Sequence, residues 1–192
     1  MGCDIHIYRE KLVDGQWISA DQWTENKYEG EDSYWSHDEI GGDRNYALFS
    51  VLARLRCEEP PAISLCAKGL PLRMSAEVAR ESEHWKLDGH SHSHLYLFEL
   101  EELLALLRSS TIRVAGMKDS EGLFKLRESI ASGTPDWELL FPYCKWSTIR
   151  SLEPFAFDVP ADFLCGTQLE QIINGLKEIG GDMQRVVFWF DN

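Results

Sequence analysis

The stretch Asp88-Gly-His-Ser-His-Ser-His94 holds three of the six histidines of this 192-residue chain at alternate positions. In an extended strand His90, His92 and His94 share one face, with roughly 6.5–7 Å between alternate residues. Imidazoles at that spacing are metal donors when a bend lets them converge, and Gly89 supplies a place for one. Neutral imidazole suits zinc, iron, manganese or nickel, with a carboxylate completing or orienting the set. The alternative is a turn whose Ser91 and Ser93 hydroxyls bond the backbone ahead of the next helix.

A metal site needs further donors, and the best ones lie at the chain ends. Asp4 and His6 alternate with Ile5 and Ile7, so they occupy the polar face of a first strand. Asp191 follows a terminal apolar run, VVFWF. If the first and last strands pair, these groups meet at one end of a sheet. The expected ligands are therefore His6, His90, His92, His94 and Asp191, with Asp4 or Asp88 as base, orienter or ligand. Such a divalent metal would lower the pKa of bound water and polarise a phosphoryl group. His37 and His84 are weaker candidates: His37 joins a site only if its acidic surroundings fold over it, and His84 reads as a helix-surface residue. Cys3 near His6 is a possible nucleophile pair, although a buried structural cysteine is the commoner case.

The elements that must position these groups are partly visible in the pattern. Residues 3–23 read as a β-hairpin turning at Asp14-Gly15, since both central residues of a type I′ turn need positive φ. Residues 24–43 are polar, acidic and Gly-containing, and read as a long loop of the kind that serves as a lid or binding loop. Asp43 is the expected cap of a well-buried helix running through Arg56. Ser75 caps a short polar helix, and leucines at 100, 103, 104 and 107 mark another. A further helix is expected over about 118–131, ending near Gly133. Thr167 and Glu170 form a capping box before the apolar stripe Leu169, Ile172, Ile173, Leu176 and Ile179, which stops at Gly180-Gly181. The final strand is apolar on both faces, which places it centrally in a sheet. Residues 134–165 are aromatic and Pro-interrupted and give no clear pattern. The expectation is an α+β (or mixed α/β) fold, one domain over 1–192, with a sheet that holds the N-terminal hairpin and the C-terminal strand, packed by several helices.

Composition narrows the function. There are 19 Lys and Arg against 32 Asp and Glu, a formal net charge of −13. Such a field repels phosphate backbones, so non-specific nucleic-acid binding is not expected. It favours cations or a basic protein partner. Five cysteines without a CxxC pair point to a reducing cytoplasm rather than a disulfide framework. No stretch of about 18 apolar residues occurs, so no membrane span is expected. Nucleotide-loop, dinucleotide-turn and hydrolase-elbow motifs are missing. The seven Trp and nine Phe read as core rather than as base-stacking platforms.

Two local resemblances attach to the histidine stretch. Asp88-Gly-His90-Ser-His92-Ser93 resembles the D-x-H-x-H-S opening of PHP-type metallophosphoesterases, and His90-x-His92 resembles the start of the metallo-β-lactamase H-x-H-x-D-H. No histidine follows His94 to complete the first, and His94 and Leu95 depart from the second. A resemblance that runs end to end joins MGCDIHIY, RNYALFSVLA at 44–53, DGHSHS at 88–93 and VFWFDN at the C-terminus. It is to a family of small proteins encoded by bacteriophages and prophages. That resemblance implies a bacterial host cytoplasm and an accessory, counter-defence role, and carries over no catalytic residue. Two functions follow as expectations. One is a metal-dependent hydrolase acting on a phosphodiester or other small phosphorylated substrate. The other is a non-enzymatic acidic inhibitor that covers a basic surface of a host defence complex.

Overall fold

The structure is a computed structural model that describes the chain except positions 1, 28–33, 43, 58–60, 134–135, 137–138, 140–151 and 192. Among the described residues there are eight strands and five α-helices, an α+β arrangement. The chain divides into two compact units. The first comprises Met1–Arg44, Cys66–Glu101 and Glu170–Asn192, and the second comprises Asn45–Leu65 and Glu102–Leu169.

The first unit is built on an antiparallel sheet in which both chain ends pair. Strand β1 (Ile5–Val13) turns at Asp14 and Gly15, at φ 51° and 77°, into β2 (Gln16–Ser19). Positive φ at both positions is the hairpin geometry that Asp-Gly predicts. The return strand stops at Ser19, short of the expected Trp23. Strand β3 (Trp23–Asn26) pairs with β4 (Tyr34–His37), Trp23 opposite His37 and Glu25 opposite Trp35. The stretch expected to be a long acidic loop therefore carries a two-stranded ribbon. Alternation of Trp23 with Thr24, and of Trp35 with Ser36, gives it one aromatic face, a signal masked by the surrounding acidic residues.

Strand β8 (Met183–Phe190) lies between β1 and β5 (His90–Tyr96), so the sheet order is β2-β1-β8-β5. Its central place explains its composition: Arg185 to Phe190 are all buried. Helix α2 (Ala76–His84) starts at Ser75, whose hydroxyl accepts from Val78 N–H, and packs Val78 against Tyr8, Val187 and Trp189 on one sheet face. Helix α5 (Gln168–Glu178) begins just after Thr167. Its Gly175 comes so close to Ile40 that an added Cβ would lie 2.9 Å from Ile40 Cδ1, and 3.9 Å from Arg9 Nη1 of β1 on the other sheet face. On that face Lys11 Nζ donates to Ile179 O at 3.1 Å, and the chain turns at Gly180 and Gly181 with positive φ.

The second unit contains α1 (Tyr46–Ala53), β6 (Thr111–Lys118), α4 (Ser120–Ser132), β7 (Glu153–Pro160) and a 3₁₀ turn over Ala161–Cys165. Helix α3 (Leu97–Ser109) runs on directly from β5. The expected cap Asp43 lies outside the described residues; Asn45 caps α1, its side chain accepting from Leu48 N–H. The helix ends at Ala53, earlier than expected, because Arg54 turns left-handed. Strands β6 and β7 pair over their full lengths. Leu123, Leu126, Phe155, Val159 and Phe163 form this unit's core. Asp119 caps α4 and Gly133 closes it at φ 67°. β6 and β7 escaped the pattern reading because only one face of each is buried, and Gly116 and two prolines interrupt the alternation.

Candidate functional site

Antiparallel pairing of β1 with β8 brings the two chain ends together, as the expected geometry requires. His6 stands opposite Trp189 in register. Its Nε2–H donates to Asp191 Oδ2 at 3.3 Å, while Asp4 N–H donates to Asp191 Oδ1 at 3.0 Å. Asp191 is thus a held acceptor rather than a frayed terminal charge, and it orients the imidazole. The His6 ring also packs on Trp85, with centroids 4.1 Å apart. Asp4 itself is turned away to Arg44, which binds both carboxylate oxygens at 2.8 and 2.7 Å. That guanidinium holds the Asp4 carboxyl below its ordinary range, so Asp4 is an ion-pair partner and a poor base.

The histidine stretch is extended, but its three imidazoles do not share a face. His90 pairs with Phe190, whereas Ser93 pairs with Phe188 and His94 with Val187, so β5 carries one extra residue between them. Ser91 takes up that residue at φ 52°, a left-handed conformation found at bulges. A one-residue insertion flips side chains across the sheet. His90 consequently stands in register with Phe190, on the Ile5 and Phe188 face, and stacks on the Phe190 ring at 6.3 Å. His92 packs against Trp189 at 5.5 Å, on the side of His6 and Tyr8. His94 donates from Nδ1 to Gly69 O at 3.1 Å. Asp88 is exposed in the turn after α2, where its N–H donates to Trp85 O. Gly89 fits there because a Cβ would come within 2.8 Å of Trp85 O and 3.3 Å of Trp189 Cδ1.

The expected ligand set is therefore divided: His6 and Asp191 meet, His90 lies across the sheet from His92 and His94, Asp4 is bound to Arg44, and Asp88 is exposed in a turn. Among the described residues no three His, Cys, Asp or Glu side chains group so as to hold a metal ion. Cys3 is fully buried, which places it with the core residues.

His92 has a measurable consequence. Burial, with a smaller contribution from His90, lowers its pKa. The folded chain then binds fewer protons here than the unfolded chain. Stability should fall as pH drops below about 6.5, the unfolded value, and continue to fall until the folded pKa is passed. Urea midpoints measured between pH 8 and pH 5 should show this decline, and His92→Gln should flatten it. Carboxylates such as Asp4 act at lower pH, so the two regimes separate.

A concavity of about 460 Å³ in the first unit is bordered by His6. Five aromatic side chains line it: Tyr8, Trp23, Tyr34, Trp35 and Trp85. His6, His37 and His84 border it, with Glu39, Glu81 and Arg80. The β3–β4 ribbon supplies Trp23, Trp35 and His37 from one face, because residues opposite and two apart in an antiparallel pair are neighbours. His37 meets Tyr8 edge-on at 4.6 Å, so the acidic segment does fold over the first strand. His37 Nδ1 is buried with no hydrogen-bond partner among the described residues. Helix α2 supplies Arg80, Glu81 and His84.

The electrostatics of this cleft are acidic. Burial pushes the Tyr8 hydroxyl far above its ordinary range, and the charges of Glu81, Glu39 and Asp21 add to that push. Arg80 lies over two indoles, its Cζ 4.5 Å from the Trp35 centroid and 5.2 Å from that of Trp23, and pairs with Glu81 at 3.2 Å. No lysine lines the cleft among the described residues. Composition places the tryptophans in the core. For Trp189 that holds; Trp23, Trp35 and Trp85 are only half-buried and wall the cleft. The signal available was the pairing of Trp23 and Trp35 with polar neighbours on a two-residue period.

Fold and cleft together define an α+β protein with an aromatic-walled cleft that carries two glutamates and one arginine. No protein-family model, curated protein or solved structure matches the chain. No helix of the described residues is long and apolar enough to cross a membrane.

Proposed function

We propose that this is a binding protein whose aromatic cleft takes a cationic group, in keeping with the reading of an acidic chain that covers a basic partner. The observation that carries this reading is the wall composition: five Trp and Tyr rings, three imidazoles and two carboxylates, with one arginine that is already paired. Ring faces attract cations, by about 0.5–2 kcal/mol each. Carboxylates and a net charge of −13 strengthen that preference and steer a basic partner toward the surface. The same charges oppose a phosphate-bearing ligand, which finds no lysine here. The phage-like segments make a host defence protein the natural setting for such a partner.

A titration followed by tryptophan fluorescence tests the reading. Tetramethylammonium and arginine amide should quench with dissociation constants on the order of 1 mM, an ordinary strength for a single-group contact. Adenosine monophosphate should be at least tenfold weaker. Glu39→Gln should weaken cation binding about threefold, through loss of charge alone. Tighter binding of the nucleotide than of either cation would refute this reading and favour the phosphorylated substrate.

A further inference from the structure

We infer that the Trp23–Trp35 slot is an arginine-reading site, now filled by the protein's own Arg80, and that a partner protein's arginine side chain displaces it. This deepens the cationic-cleft reading and rests on it. Arg80 lies over two indole rings that project from the same face of the β3–β4 ribbon. A planar guanidinium stacks on such rings better than a compact ammonium does. The slot therefore selects flat cations, and its present occupant shows the fit.

Arg80 is also poised to leave. Its side chain is 39% exposed, and it is carried on the outer part of α2 rather than in the sheet. Its ion pair, to the adjacent Glu81, is part-buried, and an incoming guanidinium can take over that carboxylate as Arg80 leaves. An incoming guanidinium would meet Trp23 and Trp35, with Glu39 and Glu81 at the same cleft. The chain's acidic balance gives the partner a reason to approach, and argues for an arginine on a basic protein surface over a free small cation.

The experiment uses the full chain and a capped Gly-Arg-Gly peptide, with Gly-Lys-Gly and guanidinium ion as comparisons. Arg80→Ala removes the internal competitor and should raise affinity for the arginine peptide about fivefold over wild type. The lysine peptide should bind several-fold more weakly to both proteins. In wild-type protein the Arg80 Nε–H resonance should lose its ring-current shift as the arginine peptide is added, a readout that needs no variant. Unchanged or reduced affinity in a folded Arg80→Ala protein, or an Arg80 resonance that stays put while the peptide binds, would overturn the exchange alone. No cation binding to either protein would overturn the cleft reading as well. Guanidinium ion binding as tightly as the peptide would overturn the assignment to a protein partner.

Discussion

Replacing Glu10 by alanine should lower the unfolding free energy by about 3–5 kcal/mol, the usual cost of stranding one member of a buried ion pair. Glu10 and Arg185 sit on adjacent strands, directly opposite in the β1–β8 register, with 0% and 2% of their side chains exposed. Arg185 Nε donates to one carboxylate oxygen at 2.8 Å, and Ser75 N–H donates to the other at 2.6 Å. Arg185 also donates to Arg73 O and lies over the Trp17 ring at 3.7 Å. Both Glu10 oxygens are thus engaged, and removing Glu10 leaves a guanidinium without its counter-charge in the sheet interior. The urea midpoint of Glu10→Ala measures the loss. Replacing both members, as Glu10→Leu with Arg185→Met, should recover most of it, since a well-packed apolar pair avoids the desolvation cost altogether. Recovery should stop short of wild type, because Ser75 N–H and Arg73 O lose an acceptor and a donor. A Glu10→Ala protein within 1 kcal/mol of wild type, against that roughly 3–5 kcal/mol expectation, would show that water reaches Arg185.

Trp189→Ala should cost a comparable amount, about 3–5 kcal/mol, by opening a large cavity in the sheet. The Trp189 side chain is fully buried and touches Tyr8, His6 and His92 with its ring. Tyr8 in turn stacks on Trp23, so the cavity opens directly behind the cleft floor. Cation binding should be lost along with stability. Trp189→Phe behaves differently. The indole Nε1–H is buried without a hydrogen-bond partner among the described residues, and leaving such a donor unmet costs about 1–3 kcal/mol. Phenylalanine removes that donor while keeping most of the ring, so its net effect should be under about 1.5 kcal/mol. Thermal melts of the two variants, paired with the tetramethylammonium titration, separate the packing role from the polar one. Equal destabilisation by both substitutions would show that the indole N–H does find a partner.

The histidine stretch shows where a sequence reading meets its limit. Alternation of His90, His92 and His94 is real, and β5 is a strand, yet the single extra residue at Ser91 places His90 on the other face. Nothing in Asp88-Gly-His-Ser-His announces that bulge, because serine carries no preference for positive φ. The pairing of the chain ends was legible: Ile5 and Ile7 alternate with Asp4 and His6, and VVFWF has the composition of a central strand. His6 and Asp191 do meet. The cleft was not legible, because its walls come from a strand at residues 6 and 8, two paired strands at Trp23–Asn26 and Tyr34–His37, and a helix at Ala76–His84, each ordinary when taken alone.

By itself the sequence determined the α+β class, the Asp14-Gly15 turn, the Ser75 cap, the glycine stops and the acidic field. All are set by local backbone preference, by periodicity or by a sum over charges, and need no knowledge of neighbours. Only the tertiary structure decided which face each imidazole takes, that Arg44 claims Asp4, and that Arg80 lies over Trp23 and Trp35. Those depend on strand register and on contacts between residues tens of positions apart, where a slip of one position changes every partner.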